Sequence, residues 1–160
     1  MLFFSISAHC AELDSCRIYI SAIDTIALHS GYDVCNYVIS DTIYDLDRWI
    51  AIKYLSDYPD IKSAIERKLH NKKYLASPPK HSEILHSLSQ CGCESIQKNI
   101  VFFSQIEDNL LVAECFKLAY RAKENMTYDK MALFTTSNYY VFIVEEDEIK
   151  KSILIQMVYN

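Results

Sequence analysis

The residues whose types and spacing come closest to a chemical motif are His81-x4-His86-x4-Cys91-x-Cys93. Imidazole and thiolate are the ligands of tetrahedral zinc sites. The spacing works against that use. Two histidines five apart on one helix point about 140° from each other, whereas a separation of four would make them converge. Cys-x-Cys is less typical of zinc sites than Cys-x2-Cys. A Cys–His nucleophile pair is the second possibility, because the chain holds six cysteines and five histidines. A catalytic thiol needs a base beside it and a lowered pKa. Cys16 and Cys115 lie on apolar faces of expected helices, which suits core packing better. His29 and His70 fall toward expected helix ends, where imidazole meets the macrodipole favourably.

Charge is distributed unevenly. Residues 33–60 carry Asp33, Asp41, Asp45, Asp47, Asp57 and Asp60 against Arg48 and Lys53. Residues 61–80 carry Lys62, Arg67, Lys68, Lys72, Lys73 and Lys80 against Glu66. Two solvated helix faces that neutralise each other would explain this pattern. A pair of docking patches would explain it as well. Tyr32, Tyr37, Tyr44, Tyr54, Tyr58 and Trp49 lie in or beside the acidic part. Tyrosine and tryptophan give large contact area at small entropic cost. Asp41, Tyr44, Asp45, Asp47, Trp49 and Tyr58 are therefore the candidate partner-binding residues.

Composition removes several function classes. The net charge of −5 argues against a general nucleic-acid binder, which needs Lys and Arg in excess. Only Gly31 and Gly92 are present, where about 7% glycine is usual, and neither glycine-rich phosphate motif occurs. No apolar run reaches membrane-spanning length. The opening Met1-Leu2-Phe3-Phe4 lacks the basic start of a secretory leader, so the six cysteines read as reduced thiols in a cytoplasmic protein. In a secreted chain, the same six would suggest a disulfide set.

Few glycines and prolines favour long elements over tight turns. Apolar residues from Leu13 to Ala27 recur with helical period, and Gly31 fits a left-handed helix end. A second helix is expected from Asp41-Thr42, carrying Ile43, Leu46, Ile50 and Tyr54. A third should begin at Pro59, and Ser77-Pro78-Pro79 should break the chain. A short helix is expected over 81–90. Residues 94–106 read as helical with a strand alternative at Ile100–Phe103. Residues 107–125 read as a central buried helix, with Glu114, Lys117, Arg121 and Glu124 as its one polar stripe. Asn138–Val144 reads as a buried strand, followed at 149–158 by a helix or a return strand.

These readings describe one domain over 1–160 of mainly α, α+β class: amphipathic helices packed on a small terminal sheet or hairpin. The expected function is docking and occlusion of a protein partner, possibly basic. An immunity (antitoxin) protein that covers a toxin, or a pathogen-encoded modulator of host proteins, would act so. The alternative is a small Cys/His-dependent or zinc-containing enzyme. No cofactor, membrane or nucleic-acid partner is expected.

Overall fold

The computed structural model describes residues 13–71, 77–89, 99–118, 127–132 and 136–159. The elements run α1 (Leu13–Ser30), a 3-10 turn (Val34–Asn36), β1 (Tyr37–Ile43), α2 (Trp49–Ile52), α3 (Pro59–His70), β2 (Lys80–His81), α4 (Glu83–Ser89), β3 (Asn99–Phe103), β4 (Leu110–Lys117), α5 (Tyr128–Met131), β5 (Thr136–Glu145) and β6 (Glu148–Val158). The strands form one mixed sheet in the order β2-β1-β3-β4-β5-β6. Only β1 and β3 are parallel; every other neighbouring pair is antiparallel.

This large sheet overturns the expectation of helices on a small terminal hairpin. The chain is an α+β fold and is not mainly α. The decisive element is the segment read as the central helix. Leu110–Lys117 is a strand in mid-sheet, and every residue from Leu110 to Phe116 is buried. A strand covered on both faces has no reason to alternate, so its apolar run resembles that of a buried helix. The helical expectation over 94–106 fails at β3 for the same reason, since all five of its residues are buried. The helix expected from Asp41-Thr42 fails too. Those residues belong to β1, and helix in that region is confined to Trp49–Ile52.

Side-chain alternation along the strands builds two apolar layers. On one face Val101, Phe103, Leu111, Ala113, Tyr140 and Phe142 meet Ile18, Tyr19, Ala22, Ile23 and Ile26 of α1 and Leu85 and Leu88 of α4. On the other, Leu110, Val112, Tyr139, Val141 and Ile143 meet Ala51, Ile52 and Leu55 of the α2 region and Ile61 and Ile65 of α3. Beyond these, Ile100, Phe102 and Phe116 carry Tyr44, Tyr128 and Tyr159. Two of the helix boundaries read from sequence hold, and the choice left open at 149–158 between a helix and a strand is resolved. Gly31 closes α1 with φ +68°. Pro59 opens α3. Residues 149–158 form the return strand, and Glu146 and Asp147 take left-handed backbone in the hairpin turn.

Candidate functional site

The six residues singled out as a docking surface divide into two groups. Tyr44 is committed to the fold: its ring lies edge-on to Phe102 at 5.3 Å and against Tyr128 at 5.6 Å. Asp45 accepts the backbone N–H of Ser77 at 2.9 Å. Tyr58 packs against the core under α2 and α3, and Lys151 Nζ sits 5.3 Å from its ring centre. Asp41 faces two histidines at the far edge of the sheet. Asp47 and Trp49 are exposed.

The exposed pair belongs to a larger feature. Ala51, Ile52 and Leu55 are buried and anchor the α2 segment to the sheet. That anchoring turns the opposite side outward, leaving Trp49 46% and Tyr54 45% exposed. Asp47, Asp57 and Asp60 are exposed in the same stretch. The Asp47 carboxylate accepts the Trp49 backbone N–H at 2.9 Å, and the Asp47 carbonyl accepts the buried Tyr139 hydroxyl at 2.6 Å. The Trp49 ring is supported edge-on by His70 at 5.3 Å. The surface is thus held by the core and needs little ordering before contact.

Mutual neutralisation of the acidic and basic segments is not what the structure shows for Lys68. Lys68 of α3 pairs with Glu107 at 2.7 Å and Asp108 at 2.6 Å, both in the β3–β4 turn. Arg48, whose side chain is only 8% exposed, reaches the same Glu107 at 2.7 Å and donates to the Gln105 carbonyl at 3.1 Å. The hydrogen bond from Lys68, helped by Arg48, holds the Glu107 carboxyl below its usual range. Burial opposes the Lys68 charge, but its bonds to Asp108 and Glu107 outweigh that and raise its pKa. Within the acidic segment, Asp57 pairs with Lys151 of β6 at 3.5 Å.

The divergence of about 140° expected of His81 and His86 on one helix does not arise. His81 ends β2, and His86 lies in α4, so the two do not share a helix. Their ring centres stand 5.5 Å apart. Nδ1 of each lies 3.6 Å from the same Asp41 oxygen, and His81 Nε2 is 3.4 Å from Glu83. Asp41 reaches them because β1 advances four residues, from Ile39 to Ile43, where β3 advances two, from Val101 to Phe103. Such a bulge re-aims a side chain. The Thr42–His81 pairing then sets the two edges side by side. A cavity of about 480 Å³ opens here, lined by Tyr19, Lys80, His81, Ser82, Glu83 and Gln105 among others. Among the described residues, no group of three or more His, Cys, Asp and Glu side chains is placed to hold a metal ion. Cys91 and Cys93 lie outside the described residues.

The cysteine expectations change as well. Cys16 and Cys35 are disulfide-bonded, against the reading of reduced thiols. Cys115 is free and buried in β4. Burial, with the Glu114 charge adding to it, pushes its thiol up to about 12. Such a group is not a nucleophile near neutral pH.

One polar centre was misread in the sequence. Glu114, taken as part of a helical polar stripe, is fully buried on β4. It accepts the hydroxyls of Tyr128 at 2.6 Å and Tyr159 at 2.5 Å, and that of Ser137 as well. The signal was present as a lone carboxylate inside the run Leu110–Phe116. A buried charge must be hydrogen-bonded to be tolerated. No helix among the described residues is long and apolar enough to cross a membrane.

No match decides the function. No protein-family model matches the chain, and no curated protein or solved structure does either.

Proposed function

We propose that this protein works by docking: the outward side of the α2 segment covers a complementary, cationic surface on a protein partner. One observation carries the reading. Trp49 and Tyr54 each keep nearly half of their surface in solvent, in a stretch of chain that also exposes Asp47, Asp57 and Asp60. Exposed aromatics on a rigid base are good interface anchors. The surrounding carboxylates would steer a basic partner and raise its association rate. Tyr44, Asp45 and Tyr58 are engaged within the fold and are left out of the proposed contact. An immunity protein that occludes a toxin, or a modulator of host proteins, fits such a mode of action.

The disulfide bonds at Cys16 and Cys35 bear on where this happens. Structural disulfides persist in oxidising surroundings and are rare in the cytosol. The two bonded cysteines favour docking in an oxidising compartment over the cytoplasm expected from the sequence.

The test is capture from the native source with two baits, the natural chain and a Trp49→Ala/Asp47→Lys variant. The expected result is a basic protein recovered stoichiometrically by the first bait and lost by the second. Equal recovery by both would remove the α2 surface from the account.

A second reading has its own observation. His81 and His86 share Asp41 beside the cavity. A carboxylate that orients an imidazole is a common arrangement in general acid–base chemistry. On this reading, His81 would act on a small ligand in the cavity. His81→Asn would then abolish turnover of any substrate found by screening, whereas Trp49→Ala would not.

A further inference from the structure

The two edges of the sheet are built differently. The β2 edge is two residues long, Lys80 and His81, and a short charged edge resists pairing with another strand. The β6 edge is eleven residues long. Its first part is blunted. The β5 partner changes from Lys151 to Ile149 between Ile143 and Val144, so Lys150 is left over as a bulge, and two lysines stand at the edge. From Ser152 to Val158 that protection ends. Ser152-Ile153-Leu154-Ile155-Gln156-Met157-Val158 has no charge, no proline and no glycine. It pairs with β5 residue for residue, from Ser152–Phe142 to Val158–Thr136. Leu154 is 42% exposed and Val158 66%, on the same face of the strand.

We propose that the Ser152–Val158 edge is the contact surface for a second copy of this chain, the two β6 strands pairing antiparallel about a two-fold axis at Gln156. The sequence is self-complementary in that register. A residue and its symmetric partner have numbers that sum to twice 156. Leu154 therefore lies opposite Val158 of the other copy, and Ile155 opposite Met157. Both exposed apolar side chains find an apolar cross-strand neighbour. Glu148, Lys150 and Lys151 fall outside the paired stretch, so no like charges meet. A register centred on Ile153 instead sets Lys151 against Ile155 and Glu148 against Val158, leaving charges against apolar side chains. This inference is independent of the α2 docking surface, which lies on the opposite face of the sheet.

Sedimentation equilibrium on the purified chain should show a dimer that dissociates on dilution. Leu154→Lys/Val158→Lys, at the two exposed apolar positions of the edge, should be monomeric over the same concentration range. Gln156→Cys provides a positive test that does not depend on weakening anything. Directly opposed residues in an antiparallel pair have Cα atoms about 4.5–5.5 Å apart, within disulfide reach. Mild oxidation should link Gln156→Cys copies covalently, whereas Lys150→Cys copies and the natural chain should stay unlinked. A natural chain that remains monomeric at every concentration would overturn the proposal. So would Lys150→Cys linking as well as Gln156→Cys.

Discussion

The Tyr128 hydroxyl donates to the buried carboxylate of Glu114 across 2.6 Å, tying the short helix α5 to the middle of the sheet. Among the described residues Glu114 is held by hydroxyls and not by a cation; Tyr159 and Ser137 supply the other donors. Tyr128→Phe keeps the ring against Phe102 and Phe116 and removes one donor from a buried charge. The expected loss is about 1–3 kcal/mol of unfolding free energy in urea. An unchanged midpoint would mean that Glu114 is satisfied without Tyr128.

Alkaline pH should unfold the protein. Burial pushes Tyr19 up to about 12. Burial and the bond to Glu114 do the same for Tyr159. Burial raises Tyr128, Tyr139 and Tyr140 further. An unfolded tyrosine ionises near 10. Between about pH 10 and 12 the unfolded chain has released these protons and the folded chain still holds them. Stability is therefore full below about pH 10 and falls as pH rises. Tyrosinate absorbance and far-ultraviolet circular dichroism, followed together, should show these tyrosines ionising with loss of structure. Complete ionisation near pH 10 with the circular dichroism intact would contradict this.

Much of the outline was legible where local chemistry decides structure. Gly31 ends α1 because its backbone is left-handed there, and Pro59 starts α3 because its fixed φ suits a first helical turn. The run Asn138–Val144 reads as a strand on β-branched and aromatic content alone. The sheet centre was hidden because β3 and β4 are covered on both faces and lose the alternation that marks a strand. Asp41 and the two histidines were unreadable as a group. Their meeting depends on a bulge in β1 and on pairing between residues 42 and 81. Among the docking candidates, Trp49 was recognisable by type. Which tyrosines stay outside is settled only by the orientation of α2: Tyr54 is half exposed, whereas Tyr44 packs on Phe102.

Arg48 and Lys68 both contact Glu107 but should differ in weight. Arg48 is nearly buried, and Lys68 is more open to solvent. Glu107→Gln leaves the guanidinium without its charge partner in a largely dry site, which should destabilise the fold by roughly 1–3 kcal/mol. Lys68→Ala removes a partly exposed cation and should cost less than about 1 kcal/mol. Equal effects in urea denaturation would contradict the burial difference.

Cysteine chemistry gives an independent check on the core. Cys115 should resist alkylation in the folded protein near neutral pH, because its thiol is buried and its pKa is high. In denaturant without reductant, Cys115 should label while Cys16 and Cys35 stay protected until reductant is added. Peptide mass spectrometry reads all three. Labelling of Cys16 or Cys35 before reduction would show that they are free thiols.

The docking account stands on Trp49 at a surface prepared for contact. The direct measurement replaces Trp49 with a photo-crosslinking amino acid and, in a second protein, replaces Arg17, which is exposed on α1 in the other layer. Both are illuminated in extract from the native source. The account predicts one dominant covalent adduct at position 49, with a basic protein, weakening as salt is raised, and no such adduct at position 17. The absence of an adduct at 49, or the same adducts from both positions, would contradict it.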